Sequence, residues 1–581
     1  MKIARFLIAS ALVAAPAVAF AAAGEPPAPA SPVMTRGIPS QLDSDQRTGY
    51  AAVFKAIKEK RWDDAQLLLT QMKPGPLHSI AFAELYLAKG SPRVENDPLL
   101  AVLTSSPELP ESPAIARILA SRGVVAPPLP QPQKLVWANG ASTRGRAKAT
   151  KYDLAGAELA LKMQPLIKAD DGPGAQALLE AATDLTPDAQ VEWQQRVAWI
   201  YYLQGDDNNA RTMAAKARVG TGEWAVQGEW VGGLAAWRQG DCAEASRAFI
   251  SVAARASDVE LRAAGLYWAA RADMKCGRPQ LVEGRLKNAA QLDETFYGML
   301  ARQQLGIKEQ PRVPDELMLA DWDKLQNRPN VRVAAALVEI GETDLADGVL
   351  KQQAKIGPKA EYASLVRLTE TLDLPETLMW LGNNCPEGTK APTIARFPAP
   401  KWTPAGGWTV DKALVYAHAL QESRFRKDVI SPAGAYGLMQ IMPAAAVDYA
   451  RERGITVDRG SLSSPSVNMA VGQRTLQRLA AQPFSGGMLI KVMAAYNAGP
   501  VPVTEWNTIV KDGGDPLLYI ESIPYWETRG YVTTVMRNYW MYESKDGRFK
   551  SPSRSALAQG MWPKFPGQPG PSAVRLTQPG K

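Results

Sequence analysis

Between residues 46 and 305 the apolar side chains recur at helical spacing, in alanine-rich stretches separated by short turns of glycine followed by a polar residue. The turns Gly205-Asp206-Asp207, Gly240-Asp241-Cys242, Gly277-Arg278-Pro279 and Gly341-Glu342-Thr343 follow one another at intervals of 35, 37 and 64 residues, the last close to two shorter periods. A period in the mid-thirties is the signature of helix-turn-helix repeats, which stack because one helical pair cannot bury its apolar face alone. The pattern predicts an all-α chain with a superhelical repeat domain over residues 46–306.

Interruptions in the pattern set the other boundaries. Residues 24–45 form a leader whose start, 24–33, is too rich in proline for the interior of a helix or strand. The run 126–133, Ala-Pro-Pro-Leu-Pro-Gln-Pro-Gln, predicts a loop or extended crossing. A looser helical linker domain is expected over 307–395, and Phe397-Pro398-Ala399-Pro400 with Thr403-Pro404 opens a further helical domain over 396–550. Residues 551–581, dominated by Ser, Gly, Pro and Gln, are expected to be a disordered tail. At the other end Lys2 and Arg5 precede the apolar stretch from Phe6 to Phe20, and alanines follow, which reads as a cleavable signal peptide over residues 1–23. The stretch is short, alanine-rich and broken by Pro16, so a stable membrane anchor is not expected.

Composition narrows the chemistry. A chain of 581 residues is too long for one core, and 46% hydrophobic with 21% charged residues is ordinary for a protein that folds. His78, His418, Cys242, Cys276 and Cys385 supply too few soft ligands for a zinc, haem or iron-sulfur site, so neither metal nor cofactor is expected. The net charge of +8 is spread without a basic stripe, which argues against nucleic acid as a partner. Export permits disulfides. Cys242 starts one predicted helix and Cys276 ends the next, and in an antiparallel hairpin those ends are neighbours, so a Cys242–Cys276 disulfide with Cys385 free is expected. The sixteen tryptophans lie mostly at helical spacing in the repeats and are assigned to the core, with Trp526 unassigned.

Candidate chemistry sits in four blocks of the later domain: Ala419-Leu420-Gln421-Glu422-Ser423-Arg424-Phe425, the run 434–443 (Gly-Ala-Tyr-Gly-Leu-Met-Gln-Ile-Met-Pro), Ala494-Ala495-Tyr496-Asn497-Ala498-Gly499, and the run 523–532 (Ile-Pro-Tyr-Trp-Glu-Thr-Arg-Gly-Tyr-Val). In this order and spacing they resemble the catalytic domain of soluble lytic transglycosylases, a goose-type-lysozyme-like, mainly helical fold that cleaves the glycan strands of peptidoglycan. The resemblance covers roughly 405–550. The repeats and the stretch Thr295-Phe296-Tyr297-Gly298-Met299-Leu300-Ala301 are similar to the superhelix of the large soluble members, which implies a ring or horseshoe carrying the catalytic domain.

The resemblance assigns roles. It implies that Glu422 is the single catalytic acid and that Ser423 positions its turn. Ser431, Gly437, Leu438, Met439, Gln440 and Met442 would line the sugar cleft, with Tyr496 and Asn497 at its floor. Glu527 would contact substrate or, equally, form a buried ion pair with Arg529, and the phenol of Tyr531 would stand near the acid. The implied reaction protonates the bond between N-acetylmuramic acid and N-acetylglucosamine, then closes the muramyl 6-hydroxyl on C1 to leave a 1,6-anhydro end. Its alternatives are a muramidase hydrolysing the same bond and a non-catalytic glycan-binding scaffold for wall assembly. The implied setting is the periplasm of a Gram-negative bacterium, with peptidoglycan as partner and cell-wall synthesis or secretion machinery as the class of protein partner left open.

Acid catalysis requires Glu422 to be protonated near neutral pH, hence an apolar surround, for which Phe425, Leu438, Met439 and Met442 are the candidates. Arg426, four residues on, would lower the pKa if paired with it and is expected to point away. His418, one turn before Glu422, is expected to pack or to lie at the surface rather than to transfer protons.

Overall fold

The computed structural model describes residues 37–137, 143–308, 316–548 and 550–576. The expected signal peptide and the proline-rich run of the leader lie outside the described residues. Among the latter are 28 α-helices and four strands of two or three residues, so the fold is all-α. No helix among the described residues is long and apolar enough to cross a membrane.

Helices Pro187–Gln204, Asp207–Ala217, Gly222–Arg238, Cys242–Arg255, Val259–Lys275 and Pro279–Ala290 run one after another as stacked hairpins. Each repeat turn has a physical cause. Gly205, Gly240, Gly277 and Gly341 have φ of 77°, 78°, 68° and 80°, the left-handed conformation that ends a helix at no steric cost only for glycine. The aspartates after the first two, Asp206 and Asp241, accept the backbone N–H that opens the next helix. Inside the stack Trp230, Phe249 and Trp268 pack with ring centroids 5.2 to 6.3 Å apart. Cys242 and Cys276 are joined by a disulfide with Cα atoms 5.6 Å apart, and Cys385 is free and buried.

The cores do not follow the boundaries read from the sequence. Residues 42–109 share one core with 322–395, so the start of the expected repeat domain belongs physically with the linker segment. Residues 159–301 share a second core with the C-terminal segment 397–565. Between them the expected crossing does run extended: Gln133 donates its backbone N–H to the Lys355 carbonyl at 2.7 Å, and strand Leu135–Trp137 pairs antiparallel with Asn384–Pro386.

The expected disordered tail is instead folded as far as it is described. Helix Pro552–Ala558 and two short antiparallel strands, Trp562–Pro563 and Ala573–Val574, close the C-terminal domain. Composition misled because three apolar anchors, Leu557, Trp562 and Phe565, are 0, 0 and 4% exposed and hold a polar segment down. The Trp562 indole N–H donates to the Gly514 carbonyl at 2.8 Å, and Gln304 of the repeats donates to the Ala558 carbonyl at 3.0 Å.

Buried charge fixes the C-terminal domain against the repeats. Glu521, whose side chain is fully buried, accepts from Arg144 at 2.6 Å and from the Tyr297 hydroxyl at 2.7 Å, and that hydroxyl in turn accepts from the Trp268 indole at 3.0 Å. Arg271 pairs with Asp515 at 2.5 Å and Arg537 with Glu260 at 3.2 Å across the same junction. On the other core, Lys427 meets Asp344 and Lys545 meets Glu370, each at 2.8 Å.

Candidate active site

Glu422 lies in the last turn of helix Lys412–Ser423, which is buried along most of its length and packs against the long helix Trp526–Lys545. Its start is fixed by Asp411, which accepts the Ala413 N–H at 3.0 Å and is itself held by Tyr539 at 2.9 Å and by both terminal nitrogens of Arg548. Its end is abrupt. Arg424 and Phe425 both adopt left-handed φ, 55° and 62°, a conformation that non-glycine side chains rarely take twice in succession. The chain therefore reverses before Arg426, which is exposed and donates to the Ser423 carbonyl at 3.1 Å, and no ion pair forms with Glu422 among the described residues.

The Tyr531 hydroxyl donates to Glu422 Oε1 at 2.6 Å. Burial pushes the Glu422 carboxyl up to about 7, the Tyr531 hydrogen bond opposes that shift, and the charge of Glu527 adds to it. A second tyrosine stands near Glu422. Tyr496, whose phenol is held far above its usual range first by burial and then by the Glu422 charge, donates its hydroxyl to the Met439 carbonyl at 2.7 Å. His418 is wholly buried, edge-on to Tyr496 at 5.0 Å and to Tyr531 at 6.1 Å. Its Nδ1 must carry the proton, since it bonds the Leu414 carbonyl at 2.9 Å, and burial lowers its pKa to about 4, so it stays neutral. It packs the site and takes no proton at working pH.

The expected lining of the sugar cleft needs correction. Leu438 and Met439 are 1 and 0% exposed, so neither has surface with which to line a sugar cleft, and Phe425 is 2% exposed and packs on Tyr416 and Trp402. Of that set Met442 alone offers surface, being 46% exposed. The loop carrying these residues is built from the inside. Gly437 has φ 75°, and a Cβ there would fall 2.2 Å from Asn468 Nδ2 and 2.7 Å from the Leu462 carbonyl. Asn468, fully buried, accepts the Met439 N–H at 2.9 Å and donates to the carbonyls of Tyr436 and Leu462 at 3.0 and 2.9 Å. Ser431 Oγ accepts the Ala435 N–H at 2.9 Å, and Gln440, at φ 48°, donates its amide to the carbonyls of Val429 and Gly437 at 3.0 and 2.8 Å. These residues shape the loop, and Tyr496, near Glu422, is tied to it through the Met439 carbonyl.

Asn497 accepts from the Thr528 hydroxyl at 2.6 Å, joining helix Leu489–Ala498 to the start of Trp526–Lys545. Glu527 is exposed and forms no ion pair with Arg529. Arg529 is instead buried, donates to the Ile523 carbonyl at 2.8 Å and lies over the rings of Trp199 and Trp526 at 4.2 and 5.4 Å, with burial lowering its pKa to about 10. Asn468 and Thr528 are the residues that sequence reasoning missed. The signal for Asn468 was an amide flanked along the helix by Val467, Met469 and Val471. Among the described residues no group of three or more His, Cys, Asp or Glu could hold a metal ion.

Residues 403–517 match the family model of the Transglycosylase SLT domain. The soluble lytic murein transglycosylase of Salmonella typhimurium is 35% identical over 158 residues, 27% of this chain and 24% of that protein. Its Escherichia coli K12 counterpart is 39% identical over 132 residues, 22% and 20% of the two chains. In sequence the chain thus spans a quarter or less of these relatives' length. In structure the likeness is longer. The 70 kDa soluble lytic transglycosylase of Escherichia coli superposes with a TM-score of 0.53 at 19% identity, over 90% of this chain and 100% of that one. An inactive mutant of the lytic transglycosylase Slt of Pseudomonas aeruginosa superposes with 0.52 at 20% identity, over 87% and 82%. Residues 403–517 are therefore similar to the transglycosylase SLT domain, and the chain resembles the soluble lytic transglycosylases in sequence over that segment and in fold over most of its length.

Proposed function

We propose that the chain is a peptidoglycan lytic transglycosylase that acts in the periplasm with Glu422 as its one proton-transfer group. The observation that carries this reading is a carboxyl, in the segment that matches the SLT family model, with its pKa pushed up to about 7 and held by the Tyr531 hydroxyl. A group so placed is protonated in half the molecules near neutral pH and can give its proton to a glycosidic oxygen. The C1–O bond then breaks with its electron pair on the departing N-acetylglucosamine oxygen, and the carbonyl oxygen of the muramyl 2-acetamido group supports the charge at C1. The carboxylate left behind takes the proton of the muramyl 6-hydroxyl, whose oxygen bonds to C1. The acid is regenerated, no water is consumed, and no second carboxylate is required, unlike the paired-carboxylate glycosidases. The inactive Pseudomonas mutant carries glutamine in place of a glutamate, which accords with chemistry resting on one carboxyl.

The pH dependence tests this directly. A raised pKa keeps the acid form to higher pH, so cleavage of purified peptidoglycan should hold below about pH 7 and fall about tenfold per unit above it. In Tyr531→Phe the hydrogen bond that favours the charged carboxylate is gone, so the pKa rises and the falling limb moves to higher pH. A limb that stayed in place, or moved down, would contradict the assignment of Glu422 as the acid.

A further inference from the structure

The first helix of the second core, Leu154–Lys168, is apolar on two faces where a surface helix needs only one. Its inner face is anchored by Leu159 and Met163, 3 and 0% exposed, and the helix packs on Gly172–Glu180 and Pro187–Gln204. Its outer face carries Leu154 and Leu161, which stand seven residues apart and therefore on one side of the helix, 86 and 71% exposed. Tyr152, just before the helix, is fully exposed and holds φ at 60°, a left-handed conformation that non-glycine residues rarely adopt. A helix at the edge of a repeat stack keeps a protein dissolved by turning a polar face outward, and this one turns leucines outward. The charge around them has one sign in excess. Lys148, Lys151, Lys162 and Lys168 are exposed and form no ion pair among the described residues, whereas Glu158 is the one carboxylate of the helix.

We propose that this face is a membrane-contact surface that settles reversibly on a bilayer carrying anionic lipid headgroups. Leu154 and Leu161 enter the boundary between headgroups and acyl chains, the Tyr152 ring lies at headgroup level, and the lysines meet the lipid phosphates around them. Lysine suits this geometry because its apolar stem can lie along the membrane surface while the ammonium stays in water. A second copy of the chain fits the face less well, since a two-fold pairing sets the same lysines against one another. Two leucines and a few lysines make a contact that forms and releases, which differs from a stable anchor. The inference is independent of what the C-terminal domain cleaves, so it stands or falls apart from the activity reading.

Co-sedimentation with vesicles tests it, using the processed chain, residues 24–581, which lacks the apolar stretch of the expected signal peptide. Vesicles of phosphatidylcholine with about a third of phosphatidylglycerol should bind it about tenfold or more tightly than phosphatidylcholine alone, and the difference should shrink in about 0.5 M salt. Leu154→Gln with Leu161→Gln should weaken binding to the anionic vesicles about tenfold, and Lys151→Glu with Lys162→Glu should do so by about tenfold or more. All four positions are exposed, so both variants should melt like the parent. Equal binding to the two kinds of vesicle, or none to either, would overturn the proposal. So would undiminished binding by the leucine variant, which would show a charged patch without insertion. A lipid-free dimer that the leucine changes dissolve would assign the face to a second copy instead.

Discussion

Replacing Glu422 by glutamine should reduce the cleavage of peptidoglycan on the order of 10⁴-fold, the upper end of what one general acid-base group supplies, with folding and glycan binding intact. The size follows from the division of labour. Glutamine keeps the shape and accepts the Tyr531 hydrogen bond through its carbonyl oxygen, so the helix end and its left-handed turn have no reason to move. It cannot give a proton to the glycosidic oxygen, nor take one from the 6-hydroxyl, so both steps fail together. His418, the one other nearby side chain with an ordinary pKa near neutrality, is buried, neutral and committed to the Leu414 carbonyl, so it offers no rescue. Cleavage by Glu422→Gln at the unmodified rate, measured as release of soluble fragments, would remove the acid from the account.

Arg144→Met should destabilise the junction between the repeats and the C-terminal domain by about 3 kcal/mol or more, the cost of leaving a buried charge uncompensated. Glu521 has no exposed side-chain surface and takes its close cation from Arg144. The Tyr297 hydroxyl that also bonds it supplies a dipole and not a charge. The cost should be partly recovered in Arg144→Met combined with Glu521→Gln, since the second change removes the stranded charge. Thermal unfolding of the three variants checks this. Equal melting temperatures for Arg144→Met and the parent would show that the ion pair contributes nothing to docking.

Where one residue type is physically required, the sequence was informative. The repeat turns were legible because a helix ending in a left-handed residue calls for glycine, and Gly205, Gly240, Gly277 and Gly341 sit in that conformation. Glu422 was singled out by the four blocks, and the Tyr531 phenol stands beside it as the resemblance implied. Long-range pairing left no local trace. Nothing in residues 42–109 marks them as partners of 322–395, because helical faces are apolar whichever helix they meet. The folded tail was hidden by its composition, since three anchors suffice to bury a segment that is otherwise polar. Leu438 and Met439 were misplaced for a related reason: motif residues beside a cleft include those that hold the loop from behind.

The central claim is that the substrate's own hydroxyl, and not water, completes the reaction. Digestion of purified peptidoglycan by the unmodified protein, followed by mass spectrometry of the released sugars, decides it. The account predicts 1,6-anhydro-muramyl ends, lighter than hydrolysis products by the mass of one water. Products ending only in reducing muramic acid would show that water reaches C1 and would make the protein a muramidase.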